Sequence, residues 1–367
     1  MLTKRRNQTI DVLRFLFSLI ILIHHSRYLV GDDNCMFLGG SLAVEFFFLV
    51  SGYLMMASVD KKNQAGQAVN LSKEAFDFIK HKLRAFYPEV MVAWCIAFFF
   101  ACAACGSGIK EMAKRFLNCF SEAFLLFSFG LSSDNVNPAT WYLSSMLIFM
   151  LILYPLLRKY PALMKYLVMP LSALLLLGWL CMADGHPRNP TKWMGLTYKG
   201  NLRALAVLEL GALCYFAVQK IRGLSFNRLA KLLLTVVECG CYIANIVYMF
   251  FETPSRRDIF FIALFCLGIC LSFSGQTFLS ELPESRFAFW LGKFSFPVYL
   301  SHYSYSVNLN NLLPEAFTNN QRMAVYLVCS FATALVVWRI SALLRKNSDR
   351  ILKAGKRIFL EKTASNA

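Results

Sequence analysis

What constrains this chain most is a run of apolar segments, each long enough to cross a bilayer, separated by short polar breaks. A helix rises 1.5 Å per residue, so crossing the hydrocarbon takes about 20 predominantly apolar residues. Ten segments qualify: roughly 10–30, 41–58, 83–104, 141–157, 166–183, 201–219, 229–250, 258–276, 289–307 and 321–343. The stretch 116–131 (FLNCFSEAFLLFSFGL) is shorter and contains Asn118 and Glu122, and counting it as a span would place residues 158–160 (RKY) outside; it reads as an interfacial or re-entrant helix. With 57% hydrophobic and 16% charged residues and a mean hydropathy of +0.50, the chain is too apolar for a water-soluble domain of 367 residues. The expected fold is all-α: a polytopic membrane protein with about ten transmembrane helices. It forms one membrane domain over 1–345, followed by a basic tail over 346–367.

The formal charge of +17 would suggest nucleic acid as partner in a soluble chain. In a membrane protein Lys and Arg gather instead in cytoplasmic loops. With the N-terminus inside, the inner segments hold 24 of the 38 basic residues and the outer ones 10. Both termini are therefore expected in the cytoplasm, in a plasma (inner) membrane, with no nucleic-acid partner and the tail meeting anionic lipid. The KRR before the first segment resembles a signal peptide, but Arg14 and the pair His24–His25 interrupt its apolar core, so it reads as a retained helix. The 12 cysteines lie mostly in apolar segments, where a thiol packs as a small hydrophobe. A lone CxxC at Cys102 and Cys105, with no second ligand pair, points away from a metal site.

The first segment carries a polar stripe. At about 100° per residue, the interval from Arg14 to His25 turns about 1100°, only about 20° from whole rotations, so both project from one face with Asp11 and Ser18. They are about 16 Å apart along the axis, Arg14 in the inner leaflet and His25 in the outer. An Arg fork can grip phosphate oxygens at the inner end, and a neutral imidazole can take a proton from a hydroxyl at the outer end. Acyl-coenzyme A has the matching layout, with a phosphorylated head and a long arm ending in a thioester. From this helix alone an alternative stands equally: Arg14 snorkels to lipid phosphates and His25 bonds a neighbouring helix.

IDVLRFLFSLIILIHH, residues 10–25, resembles the first helix of the acyltransferase 3 family of membrane proteins, which has an Arg followed eleven positions on by a His, here Arg14 and His25. GGSLAVEFFFLVSGYLM (39–55) is similar to the family's second helix, with Glu45, Phe47, Ser51, Gly52 and Tyr53 in place. LGKFSFPVYLSH (291–302) resembles its late Gly-x-x-Ser-aromatic-x-x-Tyr-Leu-x-His segment, and Arg203 and Gly211 in NLRALAVLELGALCYF (201–216) also sit as in the family. The likeness runs in order from residue 7 to about 340. One departure is Met146, where many members have an acidic residue in the fourth span. The resemblance implies an enzyme that moves an acyl group, most often acetyl, from cytoplasmic acyl-CoA to a sugar hydroxyl of a cell-surface or lipid-linked glycan.

On that basis His25 is expected as general base, or as a transient acyl-imidazole nucleophile, and Arg14 as the donor-phosphate ligand. His302, near the outer end of the ninth span, lies at the depth of His25, so the two are expected to share one pocket. Glu45 either orients His25 or His302 or pairs with a buried Arg. Lys293 and Arg339, near the inner face, either snorkel or assist donor binding; Arg203 and Trp141 are candidate acceptor contacts. His24, about 100° away from His25, is expected to pack or meet water. Ser51, Gly52 and Tyr53 suit a close helix crossing. The rival class is a transporter or flippase of small molecules or lipid-linked sugars, although no inverted repeat is visible.

Overall fold

The computed structural model describes residues 6–66 and 70–365, with side chains described as far as residue 347. The basic tail over 346–367 therefore falls largely outside the described side chains. The described residues are helical apart from loops and an isolated β-bridge between Trp193 and Tyr198, so the protein is an all-α polytopic membrane protein. The principal helices are α1 Gln8–His25, α2 Ala43–Gln64, α3 Leu71–Ala104, α4 Ile109–Ala123, α5 Trp141–Lys159, α6 Pro161–Asp184, α7 Lys199–Arg222, α8 Arg228–Phe251, α9 Asp258–Ser274, α10 Arg286–Ser301 and α11 Asn319–Asn347.

Among the described residues nine helices are long and apolar enough to cross a membrane. They match nine of the ten spans read from the sequence. The remaining one, 289–307, is α10 with 16 residues, which breaks at His302 and resumes as the short helix Tyr303–Asn308. α3 is longer than its apolar run because an amphipathic first half, capped by the Asn70 side chain accepting from the Lys73 N–H at 2.9 Å, extends it to 34 residues. α4 is not among the nine. It exposes Phe116, Leu117 and Phe120 and buries Ser121 and Glu122, as a helix lying in the interface does.

Lipid tails give helices no hydrophobic reason to associate, so close packing needs small residues that let backbones touch. α2 and α7 cross in this way: a Cβ on Gly52 would run into the Leu208 carbonyl, and one on Gly211 into the Leu49 carbonyl. The two glycines interlock reciprocally. α1 and α10 run side by side in parallel. Where they meet at their N-terminal ends, a Cβ on Gly292 would come within 2.6 Å of the Asp11 Cβ.

Because each partner at the α2–α7 crossing is a backbone carbonyl, neither can turn aside as a flexible side chain would. Gly211→Val should cost about 1–3 kcal/mol or more by overpacking. Lower yield and a lower melting temperature in detergent are the expected result; Gly240→Val on α8, where nothing lies within 4 Å, should leave both unchanged.

Candidate active site

The parallel packing of α1 and α10 carries the polar stripe to a defined end point. Asp11 is buried and held by Arg6, and Ser18 donates to the Arg14 carbonyl at 2.9 Å. At the far end His25 Nδ1 lies 2.8 Å from the Ile21 carbonyl and 3.3 Å from His302 Nε2. A carbonyl only accepts, so Nδ1 carries the proton and His25 Nε2 keeps its lone pair. His302 is fully buried at the C-terminus of α10, and the two imidazoles stand 4.9 Å apart between ring centroids. The structure thus brings His25 and His302 together. His24 points elsewhere: its Nδ1 is 2.9 Å from the Phe37 carbonyl, and it packs against Gly40.

Two cavities open along the same stripe. At the end carrying the basic segments is a cleft of about 700 Å³, lined by Arg6, Arg14, Asp60, Lys61 and Arg222, with Tyr53 stacked on Phe273 at 4.0 Å. Deeper lies a cavity of about 340 Å³, lined by Arg14, Ser18, Ser51, Lys82, Tyr142 and Tyr299. Arg14 and Leu54 line both. The guanidinium of Arg14 reaches Asp11 only at 4.0 Å, and Lys82 is in no ion pair among the described residues, its ammonium lying 5.3 Å from the Phe78 ring. Two cations thus face the inner cavity with donors to spare. At its other end Tyr299 stands 5.9 Å from the His302 ring, flanked by Phe47 and Tyr142. Lys82 was missed from sequence because KLRAFYP reads as the basic margin of a span; its spacing on the inward face of α3 was the available signal.

Other expected residues fall outside this path. Glu45 orients neither histidine: it pairs with Arg203 Nε at 2.5 Å, both fully buried, and Arg203 also donates to the Ser41 carbonyl at 2.9 Å. Trp141 lies under that guanidinium, 5.5 Å away, and is itself buried. Lys293 and Arg339 are exposed, each beside an aromatic ring on its own helix, and line neither cavity.

A buried carboxylate outside the spans supports the far end of the site. Glu122 accepts from the Trp94 indole N–H and from the backbone N–H groups of Val136 and Asn137. Asn137 in turn donates to the Leu300 carbonyl at 2.9 Å, two residues before His302, and Tyr299 donates to the Ala139 carbonyl at 2.8 Å. Burial pushes the Glu122 carboxyl up to about 7, against the pull of those donors.

A family model described as an acyltransferase domain matches residues 7–342. No curated protein and no solved structure matches the chain.

Two predictions follow from the carboxylates. Removing one partner of a buried ion pair strands the other charge, so Glu45→Leu should destabilise by about 3–5 kcal/mol, and Glu45→Leu with Arg203→Met should recover most of that in a detergent melt. For Glu122 the folded protein binds a proton that the unfolded chain, with an ordinary value of 4.5, releases. Its contribution to stability is then fullest below 4.5 and lost as pH rises to about 7. Glu122→Gln should flatten the melting temperature over that window; an unchanged slope would reject the assignment.

Proposed function

Because the chain belongs to the acyltransferase 3 family, we propose that it transfers an acyl group, acetyl in the first instance, from cytoplasmic acyl-CoA to a hydroxyl of a cell-surface or lipid-linked glycan in the plasma (inner) membrane. The observation that supports this best is the position of Arg14. It lines both the cleft at the basic face and the inner cavity, on the same helix whose opposite end presents His25 against His302. Arg14 and Lys82 would hold donor phosphates at the throat between the two spaces, leaving the thioester arm to extend along Ser18, Ser51 and Tyr142. The layout matches a donor charged at one end and reactive at the other.

In this reading His25 Nε2 removes the proton from the acceptor hydroxyl as its oxygen attacks the thioester carbonyl. The carbon–sulfur bond then breaks, and the departing coenzyme A thiolate takes that proton back from His25. Atoms and charge balance without a metal or redox partner. As the imidazole charges, its Nδ1–H stays bonded to the Ile21 carbonyl and to the neutral His302 Nε2, so His302 positions and steadies the base.

The test uses the purified full chain in proteoliposomes with radiolabelled acetyl-CoA and extracted surface glycan. His25→Ala should lower label transfer by about 10²–10⁴-fold, the usual share of a positioned base. Arg14→Ala should instead raise KM for the donor by about 10–100-fold, corresponding to a lost charge-assisted contact of about 1.5–3 kcal/mol. Undiminished transfer in His25→Ala removes the catalytic assignment. Movement of a saccharide across the vesicle with no covalent label would favour a transporter.

A further inference from the structure

Beyond His25 the chain turns into the short helix Arg27–Val30, which carries Tyr28. Tyr28 is 51% exposed, yet its ring lies 6.1 Å from the His25 ring and 6.0 Å from Tyr303, itself 5.1 Å from His25. The three rings form one cluster. Beside it Arg27 lies 5.9 Å from the Tyr28 ring and pairs with Asp32 at 2.9 Å, with side-chain exposures of 30% and 57%. A tyrosine that merely anchors a helix at the bilayer surface needs no fixed ring partners. Tyr28 has two, and one of them is the proposed base.

We propose that Tyr28 and Tyr303 form the floor of the acceptor site and bind the face of a pyranose ring, while Arg27 and Asp32 read its hydroxyls. The inference rests on the acyl-transfer reading above and names the part of the protein that recognises the sugar. The physical case is specific to that ligand class. A pyranose presents a patch of polarised C–H groups on one face and hydroxyls around its rim. An aromatic face carries the negative lobe of its quadrupole and attracts such C–H groups. Arg27 and Asp32 meet each other at two points, Nε to Oδ1 at 2.9 Å and Nη2 to Oδ2 at 3.0 Å, which leaves the Nη1 donors to give to one hydroxyl of a diol and the remaining carboxylate lone pairs to accept from its neighbour. The cluster also stands at the opposite end of α1 from the donor cleft, so the two substrates approach His25 from different sides.

Acceptor dependence of acetyl transfer in the same proteoliposomes tests this, with donor dependence measured in parallel. Tyr28→Ala should raise KM for the glycan about tenfold, the equivalent of one lost aromatic contact, without changing KM for acetyl-CoA. Tyr28→Phe and Tyr28→Trp keep a ring face and should stay close to the parent protein. Asp32→Asn should weaken acceptor use in the same direction. An unchanged glycan KM in Tyr28→Ala, while His25→Ala abolishes transfer, overturns the platform and leaves the acyl-transfer reading standing. Equal losses in Tyr28→Phe and Tyr28→Ala also overturn it, because the hydroxyl rather than the face would then be the contact. Absence of transfer by the parent protein to any glycan would end both readings together.

Discussion

Everything at the site depends on the contact between α1 and α10. Two helices in lipid approach closely only where a small residue lets them, and Gly292 against the Asp11 side chain is that place. Both helices then rise from a common point in the same direction. Because an α-helix is rigid over this distance, fixing the register at the lower end fixes it at the upper end, where His25 and His302 come within 3.3 Å. The break after Ser301 completes the arrangement. By ending α10 there, the chain leaves His302 capping a helix terminus, fully enclosed, with Tyr303 free to turn toward the first helix.

Charge within the spans sorts into two kinds. Arg203 with Glu45 and Arg188 with Asp258 are ion pairs with essentially no exposure, and they tie α7 to α2 and the loop between α6 and α7 to α9, although Arg203 Nη1 and Glu45 Oε2 keep no hydrogen-bond partner among the described residues. A buried pair contributes little net stability, yet losing either member strands its partner, so such pairs chiefly enforce one arrangement. Arg14 and Lys82 are the other kind: cations facing a cavity with their donors unspent. A charge in hydrocarbon is costly unless paired or solvated, and here the cavity they line is what surrounds both cations. What separates the two kinds is the surroundings: one is enclosed by packed helices, the other lines a cavity.

Much of this was legible in the residues and some was not. Length and hydropathy found the spans, since lipid imposes a minimum apolar run that sequence displays directly. Helical periodicity alone placed Arg14, Ser18 and His25 on one face, and the pairing of His25 with His302 agrees with their matching depth. Gly52 was correctly read as a crossing, although its reciprocal partner Gly211 emerged only with the α2–α7 contact. Three-dimensional choices were less accessible. Whether Glu45 served a histidine or an arginine depended on which helix packed beside α2. Arg188 counted as an ordinary outer-loop cation, while the structure buries it on Asp258 and the Gly39 carbonyl. Lys293 and Arg339 could snorkel or assist the donor; both are exposed and line neither cavity, a matter of helix face that depth arguments do not contain.

The aromatic wall between the inner cavity and the histidine pair follows from the same physics. A path reaching from one face of a membrane toward the other is a leak unless something closes it, and Phe47, Tyr142 and Tyr299 stand there. Rings close such a path well because they fill space without carrying charge, whereas an ionic plug would need a partner at every position. Tyr299 is tied by one bond to the Ala139 carbonyl and Tyr142 by one to Ser51, each worth about 0.5–1.5 kcal/mol net. Both tyrosines are also buried among other rings, so packing holds them as well as the hydrogen bond. The barrier beside the histidine pair is thus made of packed rings with one hydrogen bond to each tyrosine, while the buried ion pairs belong to the frame of α2, α7 and α9 around it.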